Sequence, residues 1–460
     1  MNSKATVTIM LVSIVVCAGL CTGAEPWKHE PIPWQPRAYR APFTEAERAK
    51  PYVHADSHTL EDFPFLDGQW EGIIGDSEGN VWFAVSSHSD YHHGQIFKYD
   101  LKADKVHHVA DLGQVCGEKL TVDRATQDKV HSRMFEDGDV IYCGTCEGHV
   151  IDNRPYKGGY WLKIHKKTGI VENLGMSVTK DGLICVEYDP YHKLLYGHTN
   201  RYGRLTVFDP ATRQEKDLGV PWSDVKRDWP RGLTLMITKD GTVYGVKPPH
   251  CTFWQYDPKT GKISNVEVDM PLPDEVVAAR KADPSDKDAQ KVLKDWNGSA
   301  VHMTLWDETD QCFYVMRSFD EMLMRFYPPK DGKAARAEAV RKFGLPIRRY
   351  GNRYASCTLV MMGRTLYYTP YTGWGGIAHL QSYDLEKQKF TDHGPIIVEQ
   401  DQRVNECHSL AAGKDGRLYL VAFVFNREGK ERVRDYSMRD GYPFHPRFVI
   451  IDPKKHCKVP

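Results

Sequence analysis

One sequence unit recurs seven times along the chain, and such a repeat limits the possible folds more than any other feature. The unit is a short apolar strand, a turn that contains Asp or Gly, and a second strand that carries an aromatic residue. HSRMFEDGDVIYCGT and HSLAAGKDGRLYLVA are two of its copies. The aromatic anchors of the successive units are Trp82, Tyr142, Tyr196, Tyr244, Tyr314, Tyr367 and Tyr419.

Each unit continues into a third strand, and six of the seven units then show a fourth. Third strands such as GRLTVFDP and CTFWQYDP end in Asp-Pro, which is typical of a tight turn. Four antiparallel strands repeated seven times predict an all-β fold, a seven-bladed β-propeller. The tail after the last third strand is short, so we expect residues near 57–66 to pair with the last blade and close the ring.

The N-terminus has the pattern of a secretory signal, in which a lysine, the apolar run IMLVSIVVCAGL and the small residues CTGA follow one another. We therefore expect a signal peptide at 1–24, a Pro-rich irregular extension at 25–56 and the propeller at 57–460. A helical insertion is expected at about 272–297, because this segment is rich in Ala, Lys and Glu. The predicted location is secreted or periplasmic. A retained N-terminal anchor is the alternative, and a lipid-anchored form is less favoured because AGLC is a poor acylation site.

The charge balance limits the kinds of partner that the sequence supports, and the spacing of the cysteines indicates their chemical state. Lys plus Arg and Asp plus Glu each number 61, so the formal net charge is zero, which gives no support for a nucleic-acid or membrane-surface partner. No second apolar run is long enough to span a bilayer. We also expect the protein to be a monomer. The cysteines are scattered through the repeats, Cys143 and Cys146 included, so we interpret them as buried free thiols. A disulfide or a metal site is the alternative.

Three histidines stand at one level of the repeat. Aligned on the aromatic anchors, His131, His302 and His408 fall where the inner strands of blades two, five and seven begin and the central channel opens. Each could be a structural residue hydrogen-bonded across the channel. Together they could hold a metal such as Zn, Mn or Ca, with His302 and His408 as its ligands, or act as acid–base groups along a substrate groove.

The loops of the same face are rich in Arg, His, Tyr and Trp, although the chain has no net charge. Arginine binds carboxylate or sulfate through two parallel hydrogen bonds, and aromatic side chains can stack on sugar rings. This composition indicates an anionic polysaccharide or oligosaccharide as the partner. The residues expected to bind it are Arg317, Arg353, Tyr371 and Trp374.

These residue types suit the cleavage of a uronic-acid chain by β-elimination. That reaction needs a cation or hydrogen-bond donors at the carboxylate, a base for the C5 proton and an acid for the leaving oxygen. Histidine, tyrosine and arginine supply all three without a cofactor. Hydrolysis would need paired carboxylates, and we do not expect pairing among Glu71, Glu147, Glu187 and Glu406.

The chain resembles the secreted seven-bladed polysaccharide lyases of the ulvan-lyase and oligogalacturonate-lyase type. The resemblance rests on the blade count, the signal peptide and VHSRMFEDGDVIYCGT, with its histidine at the mouth of blade two. It implies a secreted lyase whose catalytic residues would be His131, His149 or His198, Tyr202, and Arg201 or Arg231. Oligogalacturonate lyases hold a metal with several histidines and a glutamine, a role that His302 and His408 could echo.

Two other classes of protein remain open. A non-catalytic propeller could use the same face to bind carbohydrate or protein. A metal-dependent sugar lactonase would place Glu, Asn and Asp at the channel mouth, whereas the residues predicted at this mouth are rich in histidine.

Overall fold

Each repeat unit folds into short antiparallel strands, because its apolar stretches alternate with Asp- and Gly-containing turns that reverse the chain. The sheets follow one another along the chain as the blades of a seven-bladed β-propeller, which confirms the predicted fold class. The computed structural model describes residues 45–63, 65–87, 92–120, 124–148, 155–221, 234–247, 251–297, 301–317, 319–330, 332–343, 358–370, 377–399, 402–424 and 445–458.

The first three blades use the following elements in chain order. Before blade one lie α1 (Glu45–Arg48), β1 (Tyr52–His54) and β2 (Asp56–Thr59). Blade one contains β3 (Ile73–Gly75), β4 (Val81–Val85), β5 (Gln95–Asp100) and β6 (Lys105–Asp111), followed by α2 (Leu112–Val115). Blade two contains β7 (Phe135–Asp137), β8 (Val140–Gly144), β9 (Tyr160–His165) and β10 (Val171–Met176). Blade three contains β11 (Leu183–Asp189), β12 (Leu194–Thr199), β13 (Leu205–Asp209) and β14 (Gln214–Gly219).

The remaining blades continue the same order. Blade four contains β15 (Leu235–Ile237), β16 (Val243–Lys247), β17 (Thr252–Asp257) and β18 (Lys262–Val266), and β19 (Val268–Asp269), α3 (Asp274–Lys281) and α4 (Lys287–Asn297) lead to blade five. Blade five contains β20 (Val301–Asp307), β21 (Cys312–Arg317), β22 (Met322–Tyr327) and β23 (Ala335–Lys342). Blade six contains β24 (Val360–Met362), β25 (Thr365–Tyr368), β26 (His379–Asp384) and β27 (Lys389–Val398). Blade seven contains β28 (Gln402–Cys407), β29 (Ala411–Ala412), β30 (Leu418–Val424) and β31 (His445–Ile451), followed by α5 (Pro453–His456) and β32 (Cys457–Lys458).

The ring closes through a strand from the N-terminal side of the chain. Strand β2 pairs antiparallel with β31, with Ser57 opposite Val449 and Thr59 opposite Arg447. The predicted closure is therefore confirmed, at the N-terminal end of the expected stretch. Strand β1 lies between β27 and β32, so residues 52–54 are not irregular, as the extension was expected to be.

The core of the described chain lies between the blades. Seven clusters of buried apolar side chains are found, and each joins two neighbouring blades. The cluster between blades seven and one includes Phe83 and Phe448, whose rings stack with centroids 4.7 Å apart. Because every blade is packed on both sides, the inner strands are held at fixed positions around the axis.

In three blades the structure explains why the repeat has an aromatic residue at the anchor position. Trp82 Nε1 donates to the Asp76 carboxylate over 2.8 Å, and the hydroxyls of Tyr314 and Tyr419 donate to turn aspartates over 2.5 and 2.6 Å. The turn aspartate thus satisfies a buried donor of the strand that follows it.

Among the described residues, no helix has the length and apolar character needed to cross a membrane.

Candidate active site

The inner strands lose their regular pairing at the level of the predicted histidines. In blade two a single bridge joins Lys129 to Cys146, and regular pairing resumes only at Phe135. In blade seven, His408 lies in the gap between β28 and β29. In blade five the register shifts just after His302. The three histidines therefore stand where the backbone leaves its ladder at the mouth of the channel.

Side-chain hydrogen bonds and an uncommon backbone angle stabilise the irregular backbone at two of these positions. Ser409 fills the gap in blade seven, because its hydroxyl accepts the N–H of Val421 over 2.8 Å and donates to the carbonyl of the same residue over 3.0 Å. Met303, at the shift in blade five, has a φ of 44°, a conformation that is uncommon for a residue with a side chain.

Trp70 joins two of the predicted histidines. Its ring stacks on the His131 ring with centroids 4.5 Å apart and lies 5.2 Å from the His408 ring. His131 and His408 are almost fully buried, at 2% and 3% exposure. Blades seven, one and two thus contribute one aromatic ring each to a continuous contact at the mouth.

The tautomer of His131 follows from its partner. Its Nδ1 lies 3.0 Å from the carbonyl oxygen of Ile184 on the inner strand of blade three. A carbonyl only accepts, so Nδ1 carries the proton and donates it to this bond. In the neutral ring, Nε2 is then the nitrogen with the lone pair, as a general base or a metal ligand requires.

Two further side chains complete the surroundings of Trp70. The Gln69 side-chain oxygen accepts the backbone N–H of His408 over 2.8 Å, which ties blade one to blade seven. The Lys129 ammonium lies 4.6 Å from the centroid of the Trp70 ring and donates to the carbonyl of Gly148 over 2.9 Å. A fixed positive charge therefore lies against the aromatic contact.

The loop that carries Arg201 and Tyr202 is organised by two buried carboxylates. Asp181 accepts the backbone N–H groups of both residues over 2.8 to 3.0 Å. Glu147 accepts Arg201 Nε over 2.8 Å and the side-chain amide of Asn200 over 3.0 Å. The Tyr202 side chain is half exposed, whereas Arg201 is held against blade two.

Arg133 on the inner side of blade two lies near two buried carboxyl groups, those of Glu71 and Glu187. Arg133 donates to Glu187 and, across the axis, to the backbone carbonyl of Thr304 in blade five, both over 2.8 Å. Burial raises the pKa of Glu71 to about 8, the charge of Arg133 opposes this rise, and the charge of Glu187 adds to it. Glu71 and Glu187 therefore interact electrostatically with each other and with Arg133, whereas the hydrogen bond from Arg133 goes to Glu187.

Arg317 does not face a substrate. Its guanidinium donates to both carboxylate oxygens of Asp320 over 2.8 and 2.6 Å and to the carbonyl of Pro271 over 2.6 Å. Trp296 of α4 covers it at 5.6 Å, and 1% of the residue is exposed. The predicted binding role is corrected to a structural one, since the insertion before blade five buries this arginine.

The structure describes the other predicted residues fully, in part or not at all. His198, an alternative catalytic residue in the resemblance, is buried in β12, opposite Cys185 and Leu205. The backbone of His302 is described but its side chain is not. The residues that lie outside the described part of the chain are His149, Arg231, Arg353, Tyr371 and Trp374.

The predicted metal centre stays a prediction, because the side chain of His302 lies outside the described part of the chain. Among the described residues, no three His, Cys, Asp or Glu side chains are grouped so that they could hold an ion. His408, one of the two expected ligands, packs against Trp70. Sequence reasoning also missed Gln69, Trp70 and Lys129. The signal for Trp70 was its place directly before Glu71, which aligns with His131 and His408 in the repeat.

Comparison with known proteins supplies no family for this chain. No family profile matches the sequence, and no curated protein sequence matches it. Among solved structures, virginiamycin B lyase from Staphylococcus aureus is similar, with a TM-score of 0.49 and 10% identity over 87% of this chain and 99% of that one. The extracellular domain of a putative one-component system from B. thetaiotaomicron has a TM-score of 0.45 and 14% identity over 84% and 40% of the two chains. A luciferin-regenerating enzyme has a TM-score of 0.39 and 9% identity over 88% and 97%. At such identities these similarities concern the fold alone.

Proposed function

We propose that the protein is a secreted lyase that cleaves a uronic-acid-containing polysaccharide or oligosaccharide by β-elimination. The observation that carries the proposal is the placement of the His131 and His408 imidazoles on one Trp70 ring at the channel mouth. Two imidazoles and the Lys129 ammonium meet at this ring, on a chain without net charge. Such a site suits an anionic sugar chain and acid–base chemistry.

His131 is the base in this proposal. Its Nδ1–H is committed to the Ile184 carbonyl, so Nε2 takes the C5 proton of the uronate. The electrons of the C5–H bond form the C4–C5 double bond, and the C4–O bond breaks. Tyr202, whose side chain is half exposed, donates a proton to the leaving oxygen. Arg201, which Glu147 holds in place, binds a carboxylate of the anionic chain.

No step of this proposal passes through a metal. A Zn, Mn or Ca ion bound through His302 and His408 would be a separate addition, and elemental analysis of the purified protein tests for it. Export and a monomeric state belong to the same proposal. N-terminal sequencing of the exported protein and sedimentation of the purified protein test them.

A non-catalytic propeller that binds sugar or protein is the second candidate. The observation that favours it is the burial of His131 and His408, with 2% and 3% exposure. Imidazoles packed this closely on a tryptophan are also what a rigid binding surface would use. The two candidates differ in one observable, which is whether an unsaturated uronate product forms.

The test is to replace His131→Ala and follow the ultraviolet absorbance of unsaturated uronates on ulvan, pectate and glycosaminoglycan fragments. Loss of a general base lowers turnover by about 10²- to 10⁴-fold. The matched control is His165→Ala, at the far end of the third strand of blade two, which should turn over like the wild type. Circular dichroism of both variants checks the fold. Unchanged turnover in the His131 variant would remove this residue from the mechanism, and a wild type inactive on every substrate favours the binding candidate.

A further inference from the structure

Two buried hydrogen-bond donors at the channel mouth have no acceptor among the described residues. They are Gln69 Nε2 and Trp70 Nε1. Gln69 is 1% exposed, and its amide orientation is set because Oε1 accepts the backbone N–H of His408. The amide nitrogen is therefore the group that remains for another partner. Two such donors on consecutive residues need a physical reason.

Leaving these donors without an acceptor is costly. A buried donor without a partner costs about 1–3 kcal/mol, and native proteins keep few of them. Trp70 could have been a phenylalanine if only ring packing mattered, since its contacts with His131 and His408 are made by the ring. What sets these two donors apart is their place beside His131 and His408, where an acceptor can arrive with a ligand.

The surroundings define the chemistry of that acceptor. Gln69 and Trp70 both contact His408, one through its backbone and the other through its ring, so the two residues lie against the same residue of blade seven. The Lys129 ammonium lies against the Trp70 ring and adds positive charge. N–H donors beside a cation suit an anionic oxygen, and a carboxylate offers two oxygens at a suitable spacing.

We propose that Gln69 Nε2 and Trp70 Nε1 form a subsite that binds the carboxylate of a uronic acid. The inference rests on the proposed function and deepens it, since it assigns carboxylate recognition next to the His131 base to blade one. Trp70 touches His131, so the bound carboxylate belongs to the sugar whose C5 proton is removed. Fixed donors at that position stabilise the negative charge that develops on the carboxylate during proton removal. Arg201 then serves a neighbouring sugar of the chain.

The test compares acidic and neutral ligands by calorimetry. The probes are galacturonate and glucuronate oligomers of two to four sugars and their carboxyl-reduced, neutral counterparts. Trp70→Phe keeps the ring between the histidines and removes the N–H, and Gln69→Glu keeps an acceptor for His408 while replacing the donor. We expect each variant to bind the acidic oligomers about tenfold more weakly, as the loss of a hydrogen bond to a charged group implies. Binding of the neutral oligomers should not change.

Trp254→Phe is the matched control. Trp254 is buried in blade four, and its indole N–H also lacks an acceptor among the described residues, but it lies in the core between blades three and four. Its replacement should leave the affinity for acidic oligomers at the wild-type value. An equal loss in this variant would mean that the effect comes from general destabilisation, and would overturn the proposal.

A second readout reports on the donor itself. With ¹⁵N-labelled tryptophan, the indole resonance that disappears in Trp70→Phe should shift on titration with galacturonate oligomers and stay in place with neutral ones. Wild-type affinity in both variants, no shift, or no binding of acidic oligomers by the wild type would each overturn the subsite. If the acidic oligomers bind through these donors but no unsaturated product forms, the lyase proposal is contradicted and the subsite is not. If the Trp70→Phe variant cleaves substrate with the wild-type KM, the subsite is contradicted and the lyase proposal is not.

Discussion

Glu71 shows how strongly the interior of the propeller changes the chemistry of one residue. Burial on the channel axis raises its pKa from 4.5 to about 8. The pKa of Glu187 is also raised by burial, while its bond to Arg133 works in the opposite direction. With a pKa of about 8, Glu71 is mostly protonated at neutral pH, which lowers the cost of burying it.

The first prediction at the residue scale concerns Glu71→Gln. A carboxyl whose pKa is higher in the folded state stabilises the fold below pH 4.5, and this contribution is lost as the pH rises to about 8. The wild type should therefore lose up to about 1.4 kcal/mol per pH unit in this window from this group. The glutamine variant lacks this slope, so it should gain stability relative to the wild type as the pH rises. Urea unfolding of both proteins at pH 5 and pH 8.5 measures the difference, and parallel pH profiles would contradict it.

The role of a single residue could be predicted from sequence where the repeat itself positions the residue, and not where distant segments of the chain supply its partners. His131 and His408 were found because the repeat aligns them, and the structure brings both to Trp70. Arg317 was misassigned because its partners include the carbonyl of Pro271, which the insertion before blade five supplies. A loop arginine and a buried, paired arginine look the same in sequence, since burial is a property of the surrounding chain.

At the scale of single elements, the turn between the first and second strands does more than reverse the chain. In blade one, Asp76 accepts the backbone N–H groups of Glu78 and Asn80 over 2.9 and 2.8 Å. It also accepts the buried indole N–H of Trp82. One carboxylate therefore shapes the turn and satisfies a core side chain, which explains why Asp and an aromatic residue recur together in the repeat.

The prediction at this scale is that Asp76→Ala destabilises the protein by about 2–3 kcal/mol, because it leaves the Trp82 donor buried without an acceptor. The matched control is Asp257→Ala, in the turn between β17 and β18. Among the described residues, the side chain of Asp257 accepts local bonds from the backbone of Lys259 and the hydroxyl of Thr260, both of which are exposed. Its loss should cost less than half as much. Chemical denaturation of the two variants gives both values, and equal losses would refute the role assigned to Trp82.

At the scale of the whole molecule, the cores between blades isolate the thiols. The eight cysteines in the described part of the chain carry thiols, and seven of them are buried, which confirms the interpretation as buried thiols for this part. Burial raises the pKa of the Cys143 thiol to about 12 and that of the half-buried Cys457 to about 11. A thiol with such a pKa is almost entirely protonated at neutral pH and therefore a poor nucleophile.

We predict that these eight thiols react slowly with alkylating reagents at pH 7.5 in the native protein and fully after unfolding in guanidinium. Peptide mass spectrometry of the alkylated protein identifies each site, with the unfolded sample as the control. A reductant should leave the melting temperature unchanged. Rapid native labelling of Cys143 or Cys146, or a lower melting temperature in reductant, would contradict this prediction.

Much of the fold was predictable because its determinants are local. Turn residues, apolar strands and aromatic anchors recur within each unit, so the number of blades can be counted along the sequence. The closure by β2 was predictable because the last unit lacks a fourth strand. The site was predictable in part, as the level of His131 and His408 but not as their contacts with Gln69 and Trp70.

The sequence by itself determined the propeller, its closure and the level at which the histidines stand, because strand period and turn chemistry act over a few residues. Only the tertiary structure decided which side chains meet across the channel. Gln69 bonds to His408, and Arg133 reaches Thr304 in blade five. These partners are far apart in sequence, and only the closed ring, packed between every pair of neighbouring blades, brings them together.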